Sequence, residues 1–167
     1  NIQNKIKMQI PKLTIITILS LIISCTPVQE VQETITEVEE VIKGQLSYPE
    51  QHYNKAEYHI EMRDGTMLYT VVYSPKDTSK EYPILMKRTP YSCRPYGADK
   101  FPKSLGPSKF LMEDKYIFVY QDVRGRWMSD GSYDNMRPHV ADKKSVKDID
   151  ESSDTYDTID WLLKNIK

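Results

Sequence analysis

Two strand-like runs open the patterned part of the chain, Tyr58-His59-Ile60-Glu61-Met62 and Met67-Leu68-Tyr69-Thr70-Val71-Val72-Tyr73. Between them lies Arg63-Asp64-Gly65-Thr66, whose Asp-Gly pair is a strong hairpin signal. Ser74 to Glu81, with Pro75 and Asp77, reads as a turn, and Pro83 to Lys87 as a third, buried strand. Gly106 to Asp114 has the spacing of a short helix with Phe110 and Leu111 turned inward. Tyr116-Ile117-Phe118-Val119-Tyr120 is apolar on both faces, the pattern of a central strand covered on both sides. Asp150 to Lys167 reads as a helix with an apolar face of Tyr156, Ile159, Leu162, Leu163 and Ile166. Acidic residues crowd its start, where Asp154 and Asp157 are expected to cap it and match the macrodipole. A hairpin followed by strand, helix, strand and helix implies an α/β fold. With two parallel strands and a hairpin, its sheet has an open central edge, so residues 49–167 are expected to fold poorly alone.

The amino-terminal pattern is of another kind. Leu13 to Ile23 is an apolar run of 11 residues, too short to span a bilayer and of signal-peptide length. Lys5, Lys7 and Lys12 supply its basic flank, and Met8 stands where a start codon would. The run ends Ile22-Ile23-Ser24-Cys25, which resembles the bacterial lipoprotein box. That resemblance implies residues 1–24 as a signal peptide, with Cys25 lipidated and anchoring the chain to a membrane. Residue 26 is Thr and not Asp, which by the same resemblance implies the outer membrane of a Gram-negative cell envelope. The alternative is an ordinary secretory signal with a chance cysteine. Residues 25–48 then form an acidic tether. Val28, Val31, Ile35, Val38 and Ile42 have helical spacing, but a solvated linker is the preferred reading.

Composition narrows the partners. With 23 basic and 24 acidic residues in 167, and no basic patch laced with aromatics, nucleic acid is not an expected partner. The first residue is Asn and the last falls within a helical pattern, which reads as a fragment. Cys93 is the other cysteine; with Cys25 lipidated it has no partner for a disulfide, and no His or Asn motif marks it as a nucleophile. Asp130 to Asp134 faintly follows a calcium loop, but Asn135 and Ala141 occupy the positions that need Gly and Glu. Neither a metal nor a cofactor is expected.

Arg88-Thr89-Pro90-Tyr91 carries the first chemical signal. Pro90 stiffens a turn just past a strand's carboxyl end, where α/β sheets keep reacting groups. A hydroxyl on a stiff turn can serve as a fixed donor, and the competing reading is a tyrosine that only packs.

Met62-Arg63-Asp64-Gly65, Arg88-Thr89-Pro90-Tyr91, Gln121-Asp122-Val123-Arg124-Gly125, Ser129-Asp130-Gly131, and Asp150-Glu151 with Asp154, Asp157 and Trp161-Leu162 occur in this order. Together they resemble the Xaa-Pro dipeptidyl-peptidase-like family of α/β-hydrolases, which includes cocaine esterase, α-amino acid ester hydrolases and cephalosporin acylases. The resemblance covers roughly residues 55–167. It implies the amino-terminal part of an α/β-hydrolase core in residues 49–167, truncated before the nucleophile elbow. It also implies hydrolysis of an ester or short peptide amide through an acyl-serine intermediate, by a Ser-His-Asp triad. The six glycines (Gly44, Gly65, Gly97, Gly106, Gly125 and Gly131) include no pair four apart, so a G-x-S-x-G elbow is not in this sequence. His52, His59 and His139 precede the expected serine and are read as surface or structural residues. Carried over, Tyr91 is the oxyanion-hole hydroxyl. Asp122 and Arg124 match Asp-x-Arg-Gly and are read as structural groups near the site, with Arg124 forking to a buried carboxylate. A different outcome is a membrane-anchored binding module that keeps the core without the serine.

Overall fold

The computed structural model describes residues 28–166. The signal run, Cys25 and the start of the tether lie outside them. Two compact units divide the chain, Asn1–Leu46 and Ser47–Lys167. In the first, helix α1 (Val28–Gln45) occupies the segment read as a solvated linker. The apolar spacing of Val31, Ile35 and Val38 carries the helical pattern, and 18 residues exceed the length below which helices are marginal in water. Among the described residues, no helix is long and apolar enough to cross a membrane.

The second unit begins with a short helix, α2 (Tyr48–His52), that the sequence pattern does not reveal. Ser47 and Glu50 form a reciprocal capping box at its start, with Pro49 in the first turn. Strands β1 (Tyr53–Glu61) and β2 (Met67–Pro75) pair as the antiparallel hairpin. Its Asp-Gly turn holds Gly65 at φ +84°, and the Asp64 carboxylate accepts the Thr66 N–H at 3.2 Å. Strand β3 (Ile84–Thr89) runs two residues further than its apolar pattern. Helix α3 (Lys109–Glu113) leads into β4 (Ile117–Asp122), and helix α4 (Glu151–Asn165) closes the described chain. The sheet order is β1-β2-β4-β3, with β4 antiparallel to β2 and parallel to β3. β3 is therefore an edge strand among the described residues.

Side-chain alternation divides the core in two. Tyr69, Val71 and Tyr73 of β2 and Phe118 of β4 join Cys93, Leu105 and Met112 on one face. Val72, Ile117 and Val119 meet Leu162 of α4 on the other, continued by Ile60, Met62 and Leu68. β4 is thus covered on both sides.

Two helix faces depart from their expected pattern. Leu111 of α3 packs against the core as expected, but Phe110 is 64% exposed, with the Lys109 ammonium over its ring, and Met112 is the residue fully buried. One turn of helix has room to bury only one side. In α4, Leu162 is buried, but Tyr156, Ile159 and Leu163 are exposed. The buried side is instead mainly polar: Ser153, Asp154 and Thr158. Arg88, Gln121 and Arg124 at the sheet's carboxyl end supply its partners, so polar matching decides which face of α4 turns inward. The helix start is capped by Asp150, whose carboxylate accepts the Ser153 N–H at 2.8 Å. Asp154 and Asp157, expected as caps, are engaged by arginines.

Candidate active site

The carboxyl ends of the parallel strands β3 and β4 place two loops side by side. The first carries Pro90 to Tyr96, the second Val123 to Gly131. Thr89 closes β3: its carbonyl accepts the Val123 N–H at 3.2 Å, and its hydroxyl accepts the Tyr91 N–H at 3.1 Å. The Pro90 carbonyl accepts Arg126 Nε–H at 3.1 Å and Trp127 Nε1–H at 2.9 Å. The peptide group that precedes Tyr91 is therefore fixed through both its carbonyl and its N–H, while Tyr91 itself is 85% exposed. Its hydroxyl has no hydrogen-bond partner among the described residues. The described residues leave the Tyr91 ring uncovered.

Asp122 lies beneath this loop, fully buried at the end of β4. Its carboxylate accepts the Cys93 N–H at 2.9 Å, the Tyr96 O–H at 2.8 Å and, more weakly, the Met128 N–H at 3.4 Å. One side chain thus ties both loops to the sheet. The Tyr96 hydroxyl also shares a 2.9 Å bond with Ser92, whose φ of +85° puts a non-glycine residue in the left-handed region. Burial, and then Asp122 beside it, push the Tyr96 phenol up to about 12. The same two causes, burial first, raise the Cys93 thiol well above its ordinary range, and Cys93 is itself buried. A thiol held protonated in the core is an inert one.

Arg124 is sandwiched between two carboxylates. Its Nε and one terminal nitrogen fork to Asp154 at 3.0 and 2.6 Å, and its terminal nitrogens reach Asp64 at 2.8 and 3.1 Å. It so joins the hairpin turn, the end of β4 and α4. Burial opposes its charge, but the two carboxylates more than offset this and raise its affinity for the proton. Asp154 also faces a terminal nitrogen of Arg88 at 3.7 Å, an ion-pair distance too long for a hydrogen bond. Arg88 in turn bonds Gln121 at 2.7 Å, Glu151 at 2.8 Å and Thr155 at 2.9 Å. A second pair, Arg63 with Asp157, fastens the turn to α4, with the Arg63 side chain bonding at 2.7 Å. Ser129 completes the frame: its hydroxyl donates to the Asp122 carbonyl at 2.6 Å and accepts the Tyr69 N–H at 2.8 Å.

Tyr91 and Asp122 are thereby brought into one site, connected through Cys93 and the loop. Arg124 stands one layer away, in the frame that holds β4's exit. The histidines lie elsewhere: His52 stacks on Tyr48, His59 meets the edge of Tyr69, and His139 is 2.8 Å from the Asp150 carboxylate. Sequence reading misses Arg126 and Trp127, which hold Pro90, because an Arg-Trp pair in a loop has no periodic signature. It also misses Arg88 as the partner of α4, although its place at a strand end opposite an acidic helix start is a legible signal. Among the described residues, no group of three His, Cys, Asp or Glu side chains is arranged to hold a metal.

The family model for X-Pro dipeptidyl-peptidase (S15 family) matches residues 64–167. A solved aminopeptidase from the marine sediment archaeon Thaumarchaeota archaeon is 38% identical, with a TM-score of 0.58 over 69% of this chain and 19% of its own. An α-amino acid ester hydrolase structure is 36% identical, with a TM-score of 0.56 and the same coverage of 69% and 19%. The chain thus spans about a fifth of the length of either structure. The comparison with curated proteins returns no match. With the hairpin turn, the Tyr91 loop, the Asp122–Arg124 segment and α4 all inside the matched region, this chain belongs to the X-Pro dipeptidyl-peptidase family.

Proposed function

We propose that the full-length protein is a serine hydrolase that cleaves an ester or a short peptide amide, with Tyr91 as one donor of its oxyanion hole. The observation that carries this reading is the exposed, unpartnered Tyr91 hydroxyl on a loop pinned at Thr89, Pro90 and Cys93. Such a donor needs no reorganisation when the carbonyl oxygen of a substrate gains negative charge, so it stabilises the transition state more than the ground state. In this reading a serine from a strand-to-helix turn beyond Lys167 attacks the carbonyl carbon, and a histidine takes its proton. The tetrahedral oxyanion is held by Tyr91 and a backbone N–H, and its collapse expels the alcohol or amine. Water then releases the acid from the acyl-serine.

Tyr91→Phe in the full-length protein tests this directly. Removal of one oxyanion donor costs about 3–4 kcal/mol, which is roughly 10²–10³ in kcat. Thermal stability is expected to stay unchanged, because the hydroxyl bonds nothing among the described residues. An unchanged kcat refutes the assignment. Fluorophosphonate labelling of the full-length protein separates a serine enzyme from a binding module that only shares the core. We further propose that Cys25 is lipidated and holds the protein at the outer membrane. Palmitate labelling that persists in Cys25→Ala would overturn this.

A further inference from the structure

Beside Tyr91 stands a group of side chains that an oxyanion role leaves unused. The Arg94 and Arg126 guanidinium carbons lie 4.9 and 5.8 Å from the centre of the Trp127 ring. Arg126 also lies 4.9 Å from the Tyr133 ring. A guanidinium stacked on an aromatic face keeps its in-plane N–H fork free, and that fork matches a carboxylate. Arg63, Arg88 and Arg124 each pair with an acidic side chain, whereas no carboxylate of the described residues pairs with Arg94 or Arg126. The Asp122 carboxylate below is taken by neutral donors: two backbone N–H groups and a phenol.

Backbone conformation is a second, independent sign. Trp127 has φ +52° and Ser92 has φ +85°, both in the left-handed region. Neither is glycine, and a bulky aromatic residue is especially disfavoured there. The indole is not placed so in order to be buried, since it is half exposed. Its N–H instead meets the Pro90 carbonyl, and Arg94 Nε–H meets the Ser92 hydroxyl at 3.2 Å. Both loops thus present an apolar ring and, with each Nε–H used to fix its side chain, the terminal N–H groups of two guanidiniums next to the Tyr91 carrier.

We infer that Arg94, Arg126 and Trp127 form a substrate carboxylate site. The chemistry it fits is an ester or amide whose leaving group or acyl chain bears a carboxylate on an aromatic or apolar body. The body stacks on Trp127, and the carboxylate takes the free N–H groups of Arg94 and Arg126. The inference rests on Tyr91 marking the reacting centre, but its binding test does not depend on turnover.

The test uses the full-length protein. Binding of 4-hydroxybenzoate is compared with that of phenol by calorimetric titration. The carboxylate is expected to bind at least about tenfold more tightly, as a charge-assisted fork allows. In Arg94→Gln the ratio falls towards one, and in Arg94→Lys it is only partly restored because an ammonium lacks the fork. Lys80→Gln, on the turn between β2 and β3, leaves the ratio as it was. Equal binding of the two ligands, or a preference that Arg94→Gln leaves intact, overturns the inference. Hydrolysis of 4-carboxyphenyl acetate against phenyl acetate, and of 4-nitrophenyl hydrogen adipate against 4-nitrophenyl hexanoate, then assigns the carboxylate to leaving group or acyl chain. Absence of fluorophosphonate labelling would sink the serine-hydrolase reading while the binding comparison still decides this one.

Discussion

Asp122 is the point at which stability and the candidate site meet, and its substitution separates the two. In Asp122→Ala the buried Cys93 N–H loses its acceptor, a charged one at 2.9 Å. Such a bond contributes about 1.5–3 kcal/mol. Tyr96 loses a 2.8 Å bond but can donate to Ser92 instead, so its loss is smaller, and the 3.4 Å contact to Met128 adds little. The sum is about 2–4 kcal/mol of stability. Asp122→Asn behaves differently. Its amide oxygen can keep the Cys93 N–H, and its NH₂ can donate to the Tyr96 oxygen while Tyr96 donates to Ser92. That exchange costs about 1–2 kcal/mol. The loop that carries Tyr91 is then held less firmly, and a misplacement of about 1 Å lowers kcat by on the order of 10². Urea unfolding of the full-length protein measures the first quantity and ester hydrolysis the second. The decisive assay is a double-mutant cycle. If Asp122 acts through Tyr91, Asp122→Asn lowers kcat less than about threefold in a Tyr91→Phe background. Equal losses in both backgrounds, or an Asp122→Ala protein within about 1 kcal/mol of wild type, would refute the reasoning.

Three further outcomes follow from the frame around the site. Arg124→Met is expected to cost about 3–5 kcal/mol, because it leaves Asp154 and Asp64 without the cation between them; denaturant midpoints read this, and a loss below about 1 kcal/mol would count against it. Gly125→Ala should fail to fold or lose more than about 3 kcal/mol, since Gly125 has φ +68° and an added Cβ would fall on the Ser132–Tyr133 backbone; a soluble variant with wild-type thermal midpoint would contradict this. Acid should weaken the fold through Asp64 and Asp157, for which burial opposes ionisation but Arg124 and Arg63 hold the folded carboxyls below their ordinary range. A lowered folded value stabilises above the unfolded carboxylate range of about 4, and that contribution is lost as pH falls from about 5 through this range and below. Thermal midpoints between pH 7 and pH 3 should therefore drop, and the drop should shrink in Arg63→Gln.

β2, β3 and β4 are legible as apolar runs between turn signals, whereas the first half of β1, Tyr53 to Glu57, is too polar to show as a strand. The Asp-Gly turn was legible for a local reason: Gly65 at positive φ satisfies the hairpin by itself. Local chemistry likewise marked Thr89-Pro90-Tyr91 as a stiff turn at a strand end. Helix α1 is less legible, because its charged surface resembles a linker even though Val31, Ile35 and Val38 have helical spacing. The face of α4 was misjudged for a deeper reason. Hydrophobic periodicity assumes that apolar residues turn inward, whereas Arg88, Gln121 and Arg124 offered buried polar partners that α4 had to satisfy.

Sequence alone therefore determined the hairpin, the central strands, the family resemblance and the stiff turn that carries Tyr91. Tertiary structure decided what those residues touch. It put β4 between β2 and β3, and so set the Asp122 carboxylate under Cys93, 29 positions away in the chain. It seated Arg124 between Asp64 and Asp154, and brought Arg126 and Trp127 to the Pro90 carbonyl. The physical reason is one of range. Propensity, turn chemistry and periodicity act over a few neighbouring residues, while a buried charge accepts whichever donors the fold delivers to it.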